Sequence, residues 1–266
     1  MIADAYDAFL FDLDGVLYRG SDPVPHAASA VARLRASGKR IAFVTNNSAR
    51  TPAKVAERLR SVGVEADEAE VETSALATAS VLAGRGVPRA FVVGGRGIVE
   101  ALGQAGVEVL TGEPDAADVV VVGWDRDADY TKLRVASVLV ERGAALVATN
   151  PDASFPAADG TKWPGAGALL AVIETTTGVR GEVIGKPYPP LLHVALERAG
   201  GGRALVIGDR LDTDIAGAAG AGWDSLLVLT GISTEQEARA SSTPPTYIAA
   251  DLRGLFDDTA ARPEAP

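Results

Sequence analysis

Short, strongly apolar runs recur along the chain, Val119–Val122 and Leu226–Leu229 among them, each separated from the next by a turn and a stretch of helical period. A strand apolar on both faces needs cover on both sides. Strand–helix alternation supplies that cover and brings each new strand back in parallel. The fold class predicted is therefore α/β with parallel sheets. Strands are expected at Ala8–Asp14, Arg40–Thr45, Val183–Ile184, Ala204–Ile207, Leu226–Leu229 and Thr246–Ile248. Helices are expected at Pro25–Ser37, Pro52–Val62, Pro190–Ala199 and Asp214–Ala219, with Gly38 and Gly63 ending the first two. Between these lies a second set: strands Arg89–Val93, Val119–Val122 and Ala145–Ala148, and helices Ile98–Ala105, Tyr130–Arg142 and Ala166–Thr177. That set suffices for a domain of its own. We place it at residues 78–182, inserted into an outer domain made of residues 1–77 and 183–266. The Pro-rich end, Arg262–Pro266, is expected to fray.

Composition narrows the function. No apolar run approaches the ~18 residues that would span a bilayer, and the acidic N-terminus lacks the basic flank of a signal peptide. There are no cysteines, so disulfides, thiol nucleophiles and Cys-based metal sites are excluded. A cytoplasmic location is the default. The net charge is −10, from 25 basic and 35 acidic residues, which makes nucleic acid a poor partner. Only two histidines occur, His26 and His193, and both read as structural.

Four segments carry chemistry, and each follows an expected strand: FDLDGVL with Asp12 and Asp14, VTNNS with Thr45, Asn46 and Asn47, IGKP with Lys186, and VIGDRLDTD with Asp209 and Asp214. Open parallel sheets bind ligands outside the carboxyl ends of their strands. One crevice there could collect several carboxylates, a lysine, a hydroxyl and turn amides. Clustered carboxylates repel unless a cation neutralises them, and Mg²⁺ suits oxygen ligands shared with a phosphate. The lysine, hydroxyl and amides are phosphate donors. Phosphoryl transfer follows, with an Asp carboxylate available as nucleophile.

The four motifs, in this order, resemble those of the haloacid dehalogenase (HAD) superfamily, and the resemblance covers essentially the whole chain. It implies a Rossmann-like core and an aspartyl-phosphate mechanism. By that resemblance Asp12 attacks phosphorus, and Asp14 is the general acid and base. Asp12, the backbone carbonyl of Asp14, and Asp209 hold Mg²⁺. Thr45, Asn46, Asn47 and Lys186 bind phosphate, and Asp214 orients from behind. The long step from Thr45 to Lys186 is similar to the C2-capped HAD-IIA, or NagD-like, branch, in which an inserted α/β cap selects the substrate. The expected enzyme is a phosphomonoesterase acting on a small phosphorylated metabolite. Glycerol 3-phosphate, a polyol phosphate or a sugar phosphate is favoured over a nucleoside monophosphate. The reading is compatible with a homodimer through the cap, and with neither nucleic acid nor membrane as partner.

Competing readings are weaker. Gly95-Arg96-Gly97 after a strand imitates a dinucleotide-binding turn, but Glu100 stands where the third glycine belongs. A noncatalytic phosphometabolite-binding module is opposed by the intact Asp12, Asp14, Lys186 and Asp209. Within the inserted domain, the loop Asn150–Phe155 is the favoured substrate contact, ahead of Asp125, Arg126 and Asp127. The branch's pyridoxal phosphatases carry a histidine where this chain has Phe155.

Overall fold

The computed structural model describes residues 1–156, 161–257 and 259–263. In chain order it begins with β1 (Ala8–Phe11), a small hairpin β2 (Tyr18–Arg19) and β3 (Asp22–Pro23), α1 (Ala27–Ala36), β4 (Arg40–Thr45), α2 (Pro52–Ser61) and β5 (Val71–Thr73). There follow α3 (Ser74–Gly84), β6 (Arg89–Val93), α4 (Arg96–Gln104), β7 (Glu108–Leu110), β8 (Val119–Val122), α5 (Tyr130–Glu141) and β9 (Ala145–Ala148). Then come the strands β10 (Ser154–Pro156) and β11 (Lys162–Pro164), α6 (Ala166–Thr177), β12 (Glu182–Val183) and α7 (Pro189–Arg198). The chain closes with β13 (Ala204–Gly208), α8 (Ala216–Ala221), β14 (Asp224–Val228), α9 (Glu235–Ala240) and β15 (Tyr247–Ala249).

These elements form two compact units, the first made of residues 1–45, 52–72 and 186–266, the second of 46–51 and 73–185. The sequence placed the boundaries at 78 and 182. Position 78 falls inside α3, whose Ala-rich sequence carries no break to mark where one unit stops.

The first unit is built on a six-stranded sheet in the order β15-β14-β13-β1-β4-β5. β1 lies at its centre, parallel to both β13 and β4. Alternation along β1 and β4 turns Phe9, Phe11, Ile41 and Phe43 into one core with Val31 and Leu34 of α1 and Val55 and Leu59 of α2. A fully buried side chain of this size contributes about 1.5–3 kcal/mol, so the sheet centre is held rigidly where its strands end. α7 packs on β1 and β4, and also adjoins α8.

β1 is shorter than its apolar run suggested, ending at Phe11. Asp12 still donates its N–H to Ile207 O at 2.8 Å, and the chain then turns away. The turn needs Gly15: its φ is +80°, and a Cβ there would lie 2.4 Å from Asp209 Oδ2. The helix expected from Asp214 instead begins as a π-helical turn, Leu211–Ile215, that runs into α8. His26 stands at the start of α1 with φ 67°, and His193 lies edge-on to Trp223. At the C-terminus Ala261 bridges Ile248, while 264–266, the end of the tail expected to fray, lie outside the described residues.

The second unit holds a five-stranded sheet in the order β12-β9-β8-β6-β7, parallel throughout. Val119–Val122 form its fully buried central strand. Val120 and Val122 pack with Leu139 of α5 and Ile173 of α6. β10 and β11 form a separate antiparallel hairpin.

Candidate active site

In the first unit, two strand ends deliver the acidic groups to one place, where Lys186, just ahead of α7, supplies the counter-charge. Asp12 follows β1, Asp209 follows β13, and Asp214 sits in the π-helical turn just beyond. Each offers a carboxylate oxygen, and these atoms all lie within 4.8 Å of one another. Lys186, only 3% exposed, donates from Nζ to Asp12 Oδ1 at 2.5 Å and to Asp214 Oδ1 at 2.6 Å. It precedes a cis peptide bond to Pro187. Asp209 Oδ2 accepts from the N–H of Ile232 at 2.8 Å, and Asp214 Oδ2 from that of Arg210 at 3.2 Å.

Three carboxylates against one ammonium leave an uncompensated negative charge of two. Burial pushes the Asp12 carboxyl well above its ordinary range, Lys186 opposes the shift, and the neighbouring Asp214 and Asp209 add to it. Asp209 is raised to about 6, first by burial and then by Asp214. Burial would lower the Lys186 ammonium, but Asp12 and Asp214 outweigh it and raise it above its ordinary value. Burial and mutual repulsion therefore both disfavour the ionised carboxylates, and Lys186 offsets them only in part. An all-oxygen, carboxylate-rich donor set of this kind fits a hard dication such as Mg²⁺ or Ca²⁺. Asp214, expected behind the metal ligands, stands with Asp12 and Asp209 in this group.

The other expected residues lie around the centre or away from it. Asp14 is exposed, two residues beyond Asp12 on the turn closed by Gly15. Thr45 is buried at the end of β4. Asn46 and Asn47 belong to the second unit. There, Asn46 O accepts from Ser74 Oγ at 2.7 Å and from Asn150 Nδ2 at 2.8 Å, and Asn46 Nδ2 donates to Asp152 Oδ2 at 3.3 Å. Asn47 Oδ1 accepts from the N–H of Ala49, closing its own loop.

That loop explains the glycines that imitated a nucleotide turn. A Cβ on Gly97 would lie 2.6 Å from Ser48 O, so glycine is needed for close approach of the loop backbone. Sequence reasoning missed this, and it also missed that Asn150 and Asp152 hold Asn46. Asp125 turns out buried, accepting from Lys132 Nζ and from the N–H of Asp127, a structural role. Trp124 stacks on Phe155 with ring centroids 4.5 Å apart, and Arg126 lies over the Trp163 ring.

Comparison with known proteins identifies the family. A haloacid dehalogenase-like hydrolase model matches residues 9–108, and a HAD-hydrolase-like model matches residues 183–255. An acid sugar phosphatase of Staphylococcus epidermidis is 39% identical over 251 residues, covering 93% of this chain and 95% of its own. The chain belongs to the haloacid dehalogenase-like hydrolases. Among solved structures, this hydrolase is similar to a glycerol phosphate phosphatase from Mycobacterium tuberculosis in complex with magnesium. That pair has 38% identity and a TM-score of 0.90, over 97% of this chain and 78% of that one. The calcium complex of the same phosphatase gives a TM-score of 0.91 at 38% identity, over 97% and 77% of the two chains. NagD from E. coli K-12 is 30% identical with a TM-score of 0.86, over 92% of this chain and 96% of its own. The hydrolase is thus of the NagD-like, HAD-IIA type.

Proposed function

We propose that this hydrolase is a Mg²⁺-dependent phosphatase of small phosphomonoesters, with glycerol 3-phosphate, a polyol phosphate or a sugar phosphate as substrate. The observation that carries the reading is Lys186, buried and bonded to both Asp12 and Asp214 beside Asp209. Asp12, Asp209 and the backbone carbonyl of Asp14 would hold the metal, with Asp214 supporting them. When bound, Mg²⁺ neutralises the carboxylates and draws charge from the phosphate oxygens. Lys186 and Thr45 bind the phosphate. An Asp12 oxygen attacks phosphorus, and the ester P–O bond breaks as the new O–P bond forms. Asp14 gives its proton to the departing oxygen. Asp14 then takes a proton from water, which attacks phosphorus, releases inorganic phosphate and restores the Asp12 carboxylate. A phosphate-release screen over a panel of phosphorylated metabolites tests the substrate class. Release confined to nucleoside monophosphates would replace it.

Metal dependence follows from the donor set. Dialysis against EDTA is expected to reduce p-nitrophenyl phosphate turnover to background, and Mg²⁺ to restore it. Ca²⁺ takes more ligands in looser geometry, so it is expected to compete and inhibit. Full activity after EDTA would refute the assignment.

The second unit is read as the cap that selects the leaving group. Phe155→His is expected to change relative kcat/KM between substrates by roughly tenfold, the scale of one recognition contact, with little effect on p-nitrophenyl phosphate. Asp152→Ala, which releases Asn46 within the same loop cluster, is expected to change relative kcat/KM on the same scale. Equal slowing of all substrates by Phe155→His would move substrate selection elsewhere in the cap. The reading also includes a cytoplasmic enzyme with no nucleic-acid or membrane partner, and a homodimer through the cap, which light scattering would test. Among the described residues, no helix is long and apolar enough to cross a membrane.

A further inference from the structure

Just beyond β14, the segment Thr230–Ser233 is bonded to both acidic turns of the first unit, and the mechanism gives it no role. Thr230, 8% exposed, donates from Oγ1 to Gly15 O at 2.6 Å. The N–H of Ile232 donates to Asp209 Oδ2 at 2.8 Å, and that of Ser233 to Asp209 O at 3.0 Å. Ser233 Oγ accepts from the N–H of Leu211 at 3.1 Å, on the far side of Asp209 in sequence. A Cβ on Gly231 would collide with Asp209 Oδ2, so glycine is needed for the segment to come this close. The Ile232 side chain is 74% exposed, so its place is set by backbone bonds rather than by packing.

The Thr230 bond matters because of where it lands. The Asp14 carbonyl and the Gly15 N–H belong to one planar peptide and point in opposite directions. The bond from Gly15 N–H to Tyr18 O, at 2.7 Å, therefore aims the Asp14 carbonyl. The peptide on the other side of Gly15 is the one that Thr230 holds. Glycine has no Cβ to restrict rotation between its two flanking planes, and tying both planes fixes it at its φ of +80°. The same segment fixes Asp209 twice, at its main-chain carbonyl and at one carboxylate oxygen.

We infer that Thr230 is a positioning residue for the dication: together with the Ile232 N–H it sets the Asp14 carbonyl and Asp209 as one donor pair before the ion arrives. The inference rests on the reading of these two groups as metal donors given above. Donors already held in place lose little freedom on binding, and groups that hold metal ligands are worth about 10–100-fold in affinity.

The test is calorimetric titration of the full chain with Mg²⁺ after removal of metal by EDTA and dialysis. Thr230→Val keeps the branched shape and loses the hydroxyl. It is expected to weaken Mg²⁺ binding by roughly tenfold or more. The Mg²⁺ needed for half-maximal p-nitrophenyl phosphate turnover should rise by the same factor, with KM for the ester at saturating Mg²⁺ unchanged. Thr230→Ser returns the hydroxyl and should restore the affinity. Loss of a buried hydrogen bond also lowers Tm, so Tm alone does not decide. Ile232→Pro, at an exposed position, removes the N–H on Asp209 and should weaken Mg²⁺ likewise, which keeps the inference testable should Thr230→Val fail to fold. Mg²⁺ affinity unchanged in either folded variant, or weakened equally in Thr230→Ser, would overturn the inference and leave the metal assignment standing. No Mg²⁺ binding by the unmodified chain would overturn both.

Discussion

Asp12→Asn is expected to remove turnover, by on the order of 10⁴-fold or more, as loss of a nucleophile does elsewhere. The amide is nearly isosteric but cannot form an acyl phosphate. It also leaves Lys186 bonded to Asp214, so the fold should persist. Asp12 is 15% exposed on its side chain, and the strand that carries it is fixed by the Phe9 and Phe11 packing rather than by the carboxylate. Phosphate release from p-nitrophenyl phosphate, read beside circular dichroism, checks both halves. A folded variant that still turns over would remove Asp12 from the role of nucleophile.

Lys186→Met should have the largest effect on stability. It leaves Asp12 and Asp214 buried without their ammonium, and breaking a buried pair in this way costs about 3–5 kcal/mol. In a chain of this size that lowers Tm by on the order of 10 °C. Two further readouts separate this cause from a packing defect. A carboxyl whose pKa is raised by folding holds its proton more tightly folded than unfolded. Its penalty therefore grows as pH rises from the ordinary carboxylate range toward the raised value. Asp12 and Asp209 are both raised, so in metal-free protein the deficit of Lys186→Met should shrink on acidification. Excess Mg²⁺ should also recover part of it, by binding the native carboxylates. A deficit unchanged by pH and by Mg²⁺ would mean that the lysine acts through its hydrocarbon stem alone.

The inner strands of both sheets and the motif positions were legible because each rests on a local signal, whereas the short edge strands β5 and β7 were not expected. Val119–Val122 reads as a buried strand from four consecutive residues, and Asp12, Lys186 and Asp209 each follow such a run. What was not legible depends on contacts distant in sequence. The hairpin β10–β11 is two three-residue strands containing Pro156 and Pro164, with no period to detect. Glu72 lies in a stretch dense with Asp and Glu that reads as solvated surface, yet it is buried against Arg198, 126 positions away. The division at Thr73 passes unmarked just ahead of a helix rich in alanine. The membership of residues 46–51 in the second unit rests on hydrogen bonds to Ser74, Asn150 and Asp152 and on the missing side chain of Gly97. The Ser48 stretch itself reads only as the end of the second motif.

That last feature sets a rule for building chimeras. Exchanging residues 73–185 between relatives as one cassette would leave a host loop 46–51 facing foreign counterparts of Gly97, Asn150 and Asp152. Any bulkier residue at the Gly97 position would collide with the Ser48 carbonyl. A transplant that carries both segments, 46–51 together with 73–185, keeps the loop and its seat from the same parent. Recombination libraries made with one cassette should lose activity across the board, and those made with two should retain it.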